Sequence, residues 1–135
     1  MKIQITTTPI RPVPTAYPPF GSLAVIQALQ RAGYDPEFFD IDGLRPDFEA
    51  VLDHFRVSAP DIIGISAVVS TAYGYTKRLC KALREILPDV KIVLGGNLAA
   101  SGELLHRLCN VDVCVIGEGD RVIVTDIQPI INYSI

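Results

Sequence analysis

The feature that most restricts the fold is the run Asp61–Val69 (DIIGISAVV), which is almost continuously apolar. A run of this length is far too short to cross a membrane and is typical of a strand covered on both faces, as in parallel sheets. Strands are also predicted at Lys2–Thr7, Glu37–Ile41, Val90–Leu94 and Val111–Ile116. The sequence therefore predicts five strands.

Segments with helical periodicity separate these strands. They lie at Phe20–Ala32, from Pro46 to Phe55, at Ala72–Leu87 and after Ser101. In the first segment the predicted apolar stripe is Leu23, Ile26, Leu29 and Ala32, and Gly33 is predicted to end the helix in a left-handed conformation. In the second, the predicted stripe is Phe48, Val51, Leu52 and Phe55. Strands that alternate with helices form right-handed βαβ crossovers and a parallel sheet with helices on both faces. The predicted fold is α/β: a flavodoxin-like (Rossmann-type) three-layer sandwich with a five-stranded parallel sheet in the order 2-1-3-4-5. That order places the most apolar strands, the first, third and fourth, in the interior.

Two segments depart from this alternation. Pro9–Pro19 contains five prolines and is predicted to lack regular structure. In 121–135, VIVTD resembles a strand that Pro129 interrupts, so we expect an added edge strand or the stub of a longer protein. We therefore predict a domain at residues 1–120 and a tail at 121–135, whose apolar edge would allow a homo-oligomer.

Composition narrows the classes of partner and compartment. The chain has 12 Lys and Arg against 15 Asp and Glu, a formal charge of -3 that does not favour nucleic acid. Cys80, Cys109 and Cys114 form no C-x-x-C pair, so we expect reduced, buried thiols and no structural zinc site. With no apolar run long enough for a leader or a membrane span, the sequence predicts a cytoplasmic protein.

Small residues follow several strands of the predicted sheet. Ser70-Thr71 comes after the third strand, Gly95-Gly96 after the fourth and Gly117-Glu118-Gly119 after the fifth. Ligands of open parallel sheets bind beyond the carboxyl ends of the strands, and small side chains let the backbone approach a flat or bulky ligand. The sequence therefore predicts a binding site along this edge.

Other sites known on such folds lack their required residues. Thr7–Phe20 holds no glycine before Phe20, which excludes a dinucleotide motif, and its prolines disrupt a flavin phosphate loop. His54 and His106 lie on predicted helices away from the strand ends, and Glu118 is the one carboxylate of the predicted site. These residues favour a binder over a catalyst, and we assign no catalytic residue.

Four segments of the sequence resemble a known family. They are PPFGSLAVIQALQRAGYDPEFFDID, PDIIGIS, VKIVLGG and VDVCVIGEGD, and they resemble the cobalamin-binding domain at the N-terminus of cobalamin-dependent radical S-adenosylmethionine enzymes. The likeness covers residues 1 to about 120, and its most specific parts are P-P-x-G and V-x-V-I-G-E-G-[ED]. It implies a corrin ring at the carboxyl edge of the sheet, with the nucleotide tail of the cofactor running into the domain. By position, the implied contacts are Ser66, Ser70 and Thr71 with the tail and ring edge, Gly95 and Gly96 with the tail, and Gly117, Glu118 and Gly119 with the corrin side chains.

The resemblance also has two departures that bear on chemistry. Other cobalamin proteins carry D-x-H-x-x-G after the first strand, where this chain reads T-T-P-I-R-P-V-P, so the resemblance implies base-off cobalamin without a histidine ligand. The cluster motif C-x-x-x-C-x-x-C is absent, so we expect no iron–sulfur cluster in this chain and a radical S-adenosylmethionine domain in cis or trans. The chain would then be a carrier module for a methyltransferase-type enzyme. A degenerate α/β domain that mediates protein contacts, or a nucleotide or flavin binder, stays open as an alternative.

Overall fold

The five predicted strands form one parallel sheet. The computed structural model describes residues 1–67, 70–96, 102–115 and 118–133. The sheet order is β2-β1-β3-β4-β5, which confirms the predicted fold. The strands are β1 Ile3–Thr7, β2 Glu37–Phe39, β3 Ile62–Ser66, β4 Lys91–Gly95 and β5 Val113–Cys114.

Helices cover both faces of this sheet. They are α1 Phe20–Arg31, α2 Ile41–Leu44, α3 Phe48–Ser58, α4 Tyr73–Ile86, α5 Gly102–Cys109 and α6 Gly119–Tyr133, and a short 3₁₀ turn, Ser70–Ala72, precedes α4. One buried cluster joins α3, α4 and α5 to one face of the sheet, and a second joins α1 and α6 to the other. We call these the α3–α5 face and the α1/α6 face.

Local signals explain most of the helix boundaries. The Asp47 carboxylate accepts a 2.8 Å hydrogen bond from the backbone N–H of Ala50, so α3 begins at Phe48, two residues after Pro46. The predicted stripe on α3 is confirmed, since Val51 and Phe55 are fully buried. The left-handed Gly33 (φ +93°) follows the end of α1, as predicted.

Two local predictions need correction. The second strand ends at Phe39 instead of Ile41, because the Asp40 carboxylate accepts a hydrogen bond from Gly43 N–H and caps the single turn of α2. On α1, Leu23 is 41% exposed while Ser22 and Leu29 are buried, so the buried face is rotated relative to the predicted stripe. That rotation places Ser22 on the side that faces α6 and the sheet.

The C-terminal segment is a helix, and its interpretation as an edge strand is wrong. Gly119–Tyr133 forms α6, which packs against α1, and it continues the βα alternation that the tail was expected to break. Ile123 and Ile127, four residues apart, are 5% and 1% exposed. Burial at helical spacing overrides the strand propensity of the β-branched residues in VIVTD. The proposed edge pairing between two copies therefore loses its strand, and the boundary predicted at residue 120 falls in the first turn of α6.

Candidate ligand-binding site

The floor of the candidate site is a patch of small residues at the carboxyl end of the sheet. Gly64 pairs with Ile5 and Val93 on the neighbouring strands, and Ser66 pairs with Gly95 further along. Successive residues of a strand point to opposite faces, so Gly64 and Ser66, two positions apart, share the α1/α6 face with Gly95. The same strands present large side chains to the other face. The α1/α6 face at this end of the sheet therefore carries less side-chain volume than the other face.

A cavity of about 580 Å³ occupies this position, between the sheet, α1 and α6. Its lining combines apolar side chains with exposed backbone and a few polar groups. Phe20, Gly21, Ser22, Ala24 and Val25 line it from α1; Ile5, Gly64, Ile65, Ser66, Val93, Gly95, Gly96 and Val115 from the sheet and its edge; and Glu118, Gly119, Asp120 and Ile123 from the α6 side.

Glycines create the space in two different ways. A Cβ atom added to Gly95 would meet nothing within 4 Å, so this position opens directly onto free space. A Cβ atom on Gly119 would lie 3.2 Å from Cγ2 of Val25, so the start of α6 approaches α1 closely. Gly96 has a φ of +91°, a conformation that costs other residues energy. A substitution at Gly96 would therefore strain the backbone as well as block access, and Gly95 is the cleaner position to test.

The structure brings five of the eight predicted site residues to this cavity. Ser66, Gly95, Gly96, Glu118 and Gly119 line it.

The other three predicted site residues are Ser70, Thr71 and Gly117. Thr71 lies apart from the cavity, and its hydroxyl donates a 2.9 Å hydrogen bond to the carbonyl oxygen of Ile10. Ser70 begins the 3₁₀ turn before α4, and Gly117 falls outside the described residues.

The first turn of α1 is the part of the lining that the sequence-based assignment missed. Phe20, Gly21 and Ser22 line the cavity, as does Gly64 in β3. The P-P-x-G signal was recognised as a family feature, yet no site residue was assigned to it. The run of small residues after Phe20 was the signal that could have located them.

The proline-rich segment is held away from the cavity. Asp42 accepts hydrogen bonds from the backbone N–H of Thr15 (3.3 Å) and from the Arg45 guanidinium (2.7 Å). Arg45 also donates to the carbonyl oxygen of Val13 at 2.8 Å. Burial opposes ionisation of the Asp42 carboxyl, but the hydrogen bonds from Thr15 and Arg45 outweigh it and lower its pKa. No residue of Thr8–Pro19 lines the cavity, so the segment does not plug it.

Both histidines have structural partners and lie outside the cavity lining. The His54 ring stacks on Phe39 with 3.8 Å between ring centroids, and its Nε2 lies 3.1 Å from Oε1 of Gln4. Burial lowers the pKa of His54, which favours the neutral ring. Nδ1 of His106 lies 2.7 Å from the carbonyl oxygen of Val111. Neither ring is placed to act on a ligand in the cavity.

The cysteines were predicted to be buried, reduced thiols, and Cys114 is only half-buried. Cys80 and Cys109 are buried, and burial raises the pKa of Cys80 to about 12, so it stays a thiol. Within the described ranges, no group of three or more His, Cys, Asp or Glu side chains is arranged to bind a metal ion. In the same part of the chain, no helix combines the length and apolar character needed to span a membrane.

A parallel α/β sheet with an apolar cavity at its carboxyl edge defines a ligand-binding domain of the flavodoxin-like class. Residues 7–125 match the family model of the B12 binding domain, and the chain belongs to that family. The resemblance to cobalamin-binding domains drawn from the sequence is thereby confirmed.

Three proteins similar to this chain are longer than it is. An uncharacterised methyltransferase of Pyrococcus horikoshii, PH0819, is 35% identical over 130 residues, which cover 89% of this chain and 27% of that protein. The radical S-adenosylmethionine methyltransferase TsrM of Kitasatospora setae, solved with cobalamin and a [4Fe-4S] cluster, superposes with a TM-score of 0.81 at 16% identity, over 98% of this chain and 25% of TsrM. A cobalamin-binding protein of Desulfitobacterium hafniense gives a TM-score of 0.68 at 20% identity, over 92% of this chain and 56% of that one. The chain thus spans about a quarter of PH0819 and of TsrM.

Proposed function

We propose that this chain binds cobalamin in the base-off state, without a histidine ligand to cobalt, as the carrier module of a radical S-adenosylmethionine methyltransferase-type enzyme. The observation that carries the proposal is the cavity over Gly64, Ser66 and Gly95, which opens at the carboxyl edge of the sheet. The family membership supports cobalamin as the ligand. The cavity would hold the nucleotide tail, which is released from the cobalt in the base-off state.

The cavity fits the nucleotide tail of cobalamin by its chemistry. An aromatic base with an attached sugar needs an enclosed, mainly apolar space with a few polar groups to fix its orientation. Val25, Val93 and Val115 supply apolar walls, while Ser66 and the backbone of Gly95 supply hydrogen-bonding groups. We therefore assign the tail to this cavity, with Ser66, Gly95 and Gly96 beside it.

The corrin ring would lie outside the cavity, along the carboxyl edge. Its amide side chains are neutral donors and acceptors, which suit hydroxyl and backbone groups better than charged ones. We assign Ser70, Thr71, Gly117, Glu118 and Gly119 to this rim, as the family resemblance implies.

The absence of a histidine ligand rests on the sequence and on the partners of the two histidines. His54 and His106 are the only histidines of the chain, and each has a structural contact on a helix remote from the cavity lining. The lower face of the cobalt would therefore meet no imidazole from this domain.

The role as a carrier module is supported by the larger relatives. When bound, cobalamin supplies a cobalt centre that can carry a methyl group. The part played by this chain's own residues is to bind the tail, hold the ring at one edge and leave the other side open to a partner domain. Cluster binding and the transfer reaction would belong to that domain, in cis or in trans. A reducing, cytoplasmic setting agrees with the buried thiols of Cys80 and Cys109 and is part of the proposal.

The test is a titration of the purified chain with hydroxocobalamin, followed by gel filtration and absorption spectroscopy. We expect the cofactor to co-elute with the protein and to give a base-off spectrum without features of imidazole nitrogen ligation. Gly95→Leu should abolish retention with no loss of folding, because the new side chain enters open space in the cavity. Ala32→Leu, at the exposed end of α1, is the matched control and should retain cobalamin. Loss of cobalamin from the wild-type chain would favour the degenerate-domain alternative.

A further inference from the structure

The charged side chains that line the cavity all have the same sign. Glu118 and Asp120 line it from the α6 side, and the lining formed by the described residues contains no lysine, arginine or histidine. Both residues are exposed, so their negative charges lie at the mouth of the cavity and not in its interior. A ligand that enters by this mouth therefore passes two carboxylates and no cationic side chain of the lining.

The Glu118 carboxylate is held in position by the start of α6. Nε of Arg121 lies 2.8 Å from Oε2 of Glu118, and the backbone N–H of Arg121 donates to the Glu118 carbonyl oxygen at 3.0 Å. Arg121 is itself exposed and does not line the cavity. Its guanidinium offsets part of the Glu118 charge, whereas Asp120 forms no ion pair within the described residues. The mouth of the cavity therefore keeps a net negative charge in a fixed place.

Corrinoids differ in the charge of their side chains, and this charge decides how they interact with such a mouth. The side chains of cobalamin are neutral amides, which can donate N–H groups to a carboxylate. Incompletely amidated corrinoids carry carboxylates at the same positions of the ring. A carboxylate held near Glu118 and Asp120 would be repelled, and the described lining offers no cation to compensate it. The charges at the mouth therefore favour the amidated form of the ring over its acid form.

We propose that Glu118 and Asp120 select fully amidated corrinoids by repelling those that carry carboxylate side chains. The inference rests on the proposed function and extends it from the class of the cofactor to the chemical form of its ring. Because Arg121 offsets part of the Glu118 charge, it weakens the selection, and its removal should strengthen it.

Ligands that differ from cobalamin by a single charge test the selection. In the b-, d- and e-monocarboxylic acids of hydroxocobalamin, one propionamide is replaced by a propionate, and equilibrium titration compares their affinities with that of hydroxocobalamin. The wild-type chain should bind hydroxocobalamin at least about fivefold more tightly than the most weakly bound acid, as expected for like charges a few ångströms apart at an exposed site. This affinity ratio should decrease as salt is added, because salt screens exposed charges.

Variants that change the charge at the mouth assign the selection to its residues. Glu118→Gln and Asp120→Asn should each reduce the affinity ratio about twofold or more, and Arg121→Gln should increase it. Asp126→Asn is the matched control, since it removes a carboxylate of α6 that does not line the cavity, and it should keep the wild-type ratio. Each ratio compares two ligands on the same variant, so an equal change in the affinity for all corrinoids does not affect it.

The outcomes separate this inference from the proposed function. A wild-type chain that binds hydroxocobalamin and its monocarboxylic acids equally well would overturn the selection and leave the proposed function standing. The same holds for a ratio that Glu118→Gln and Asp120→Asn leave unchanged. A wild-type chain that binds neither hydroxocobalamin nor the acids would overturn both.

Discussion

The two faces of the sheet are built from the same strands but are packed to different extents. Among the described residues, the buried cluster on the α3–α5 face has sixteen members, whereas the cluster on the α1/α6 face has eight. In β4, Leu94 fills one face, and Gly95 opens onto free space at the other, whereas in β3 Ile65 fills one face and the Ile5 side chain covers Gly64 on the other. Because neighbouring residues of one strand make this difference, the strand sequences alone determine which face carries the smaller side chains. One face serves stability and the other leaves room for a ligand.

The largest expected effect is a loss of protein stability after a substitution on the α3–α5 face. Phe55→Ala removes a fully buried ring from the α3–α5 face and should lower the free energy of unfolding by roughly 3–5 kcal/mol. Chemical denaturation measures it. The folded fraction should still bind cobalamin with wild-type affinity. A selective loss of binding at unchanged stability would show that the two faces are not separate in function.

The second-largest effect should be a gain in stability when hydroxocobalamin binds at the α1/α6 face. At a free hydroxocobalamin concentration of 100 times Kd, mass action should raise the free energy of unfolding by about 2.7 kcal/mol. Hydrogen exchange should show the gain in protection mainly in α1 and α6, whose side chains line the cavity. Protection that rose first in α3 and α4 would contradict the assignment of the ligand to the α1/α6 face.

A smaller effect should follow from loosening the proline-rich segment, which lies outside both clusters apart from Ile10. Asp42→Asn removes the charge that pairs with Arg45 at 2.7 Å and should cost about 1–3 kcal/mol of stability. Hydrogen exchange at the N–H of Thr15, which donates to Asp42, should become faster. Because its pKa is lowered on folding, Asp42 stabilises the wild type above pH of about 4, and this contribution is lost as pH falls further. Unchanged exchange at Thr15 would show that the segment is held by other contacts.

The smallest expected effect is a dependence of stability on pH that arises from His54 in α3. Burial lowers the pKa of this ring, Glu37 raises it in part and Lys2 lowers it, so the unfolded chain binds the proton more readily. Stability should therefore decrease as pH falls below the ordinary histidine value of about 6.5, by less than about 0.5 kcal/mol because the ring keeps some solvent contact. Denaturation at several pH values would measure this slope, and His54→Gln should reduce it. An identical slope in the variant would assign the pH dependence elsewhere.

Much of the site could be located from the sequence, although not its full shape. The small residues after β3, β4 and β5 pointed to the carboxyl edge, and Ser66, Gly95, Gly96, Glu118 and Gly119 do line the cavity. Thr71 could not be excluded from it, because its hydrogen bond to Ile10 joins residues 61 positions apart. The wall formed by α1 was missed for a related reason. Its cavity-facing side depends on where α6 packs, and α6 itself was misread as a strand.

The pattern of apolar and polar residues along the sequence was enough to predict the strands, most helices and the sheet order. Burial of an element on one or both faces imposes a short repeat of apolar residues, and neighbouring positions show that repeat directly. The cavity required the packed molecule. It exists because α6 approaches α1 at Gly119 and Val25 and leaves the space over Gly95 unfilled. Contacts between residues so distant in the chain produce no periodic pattern in the sequence, and they form only when the helices pack against the sheet.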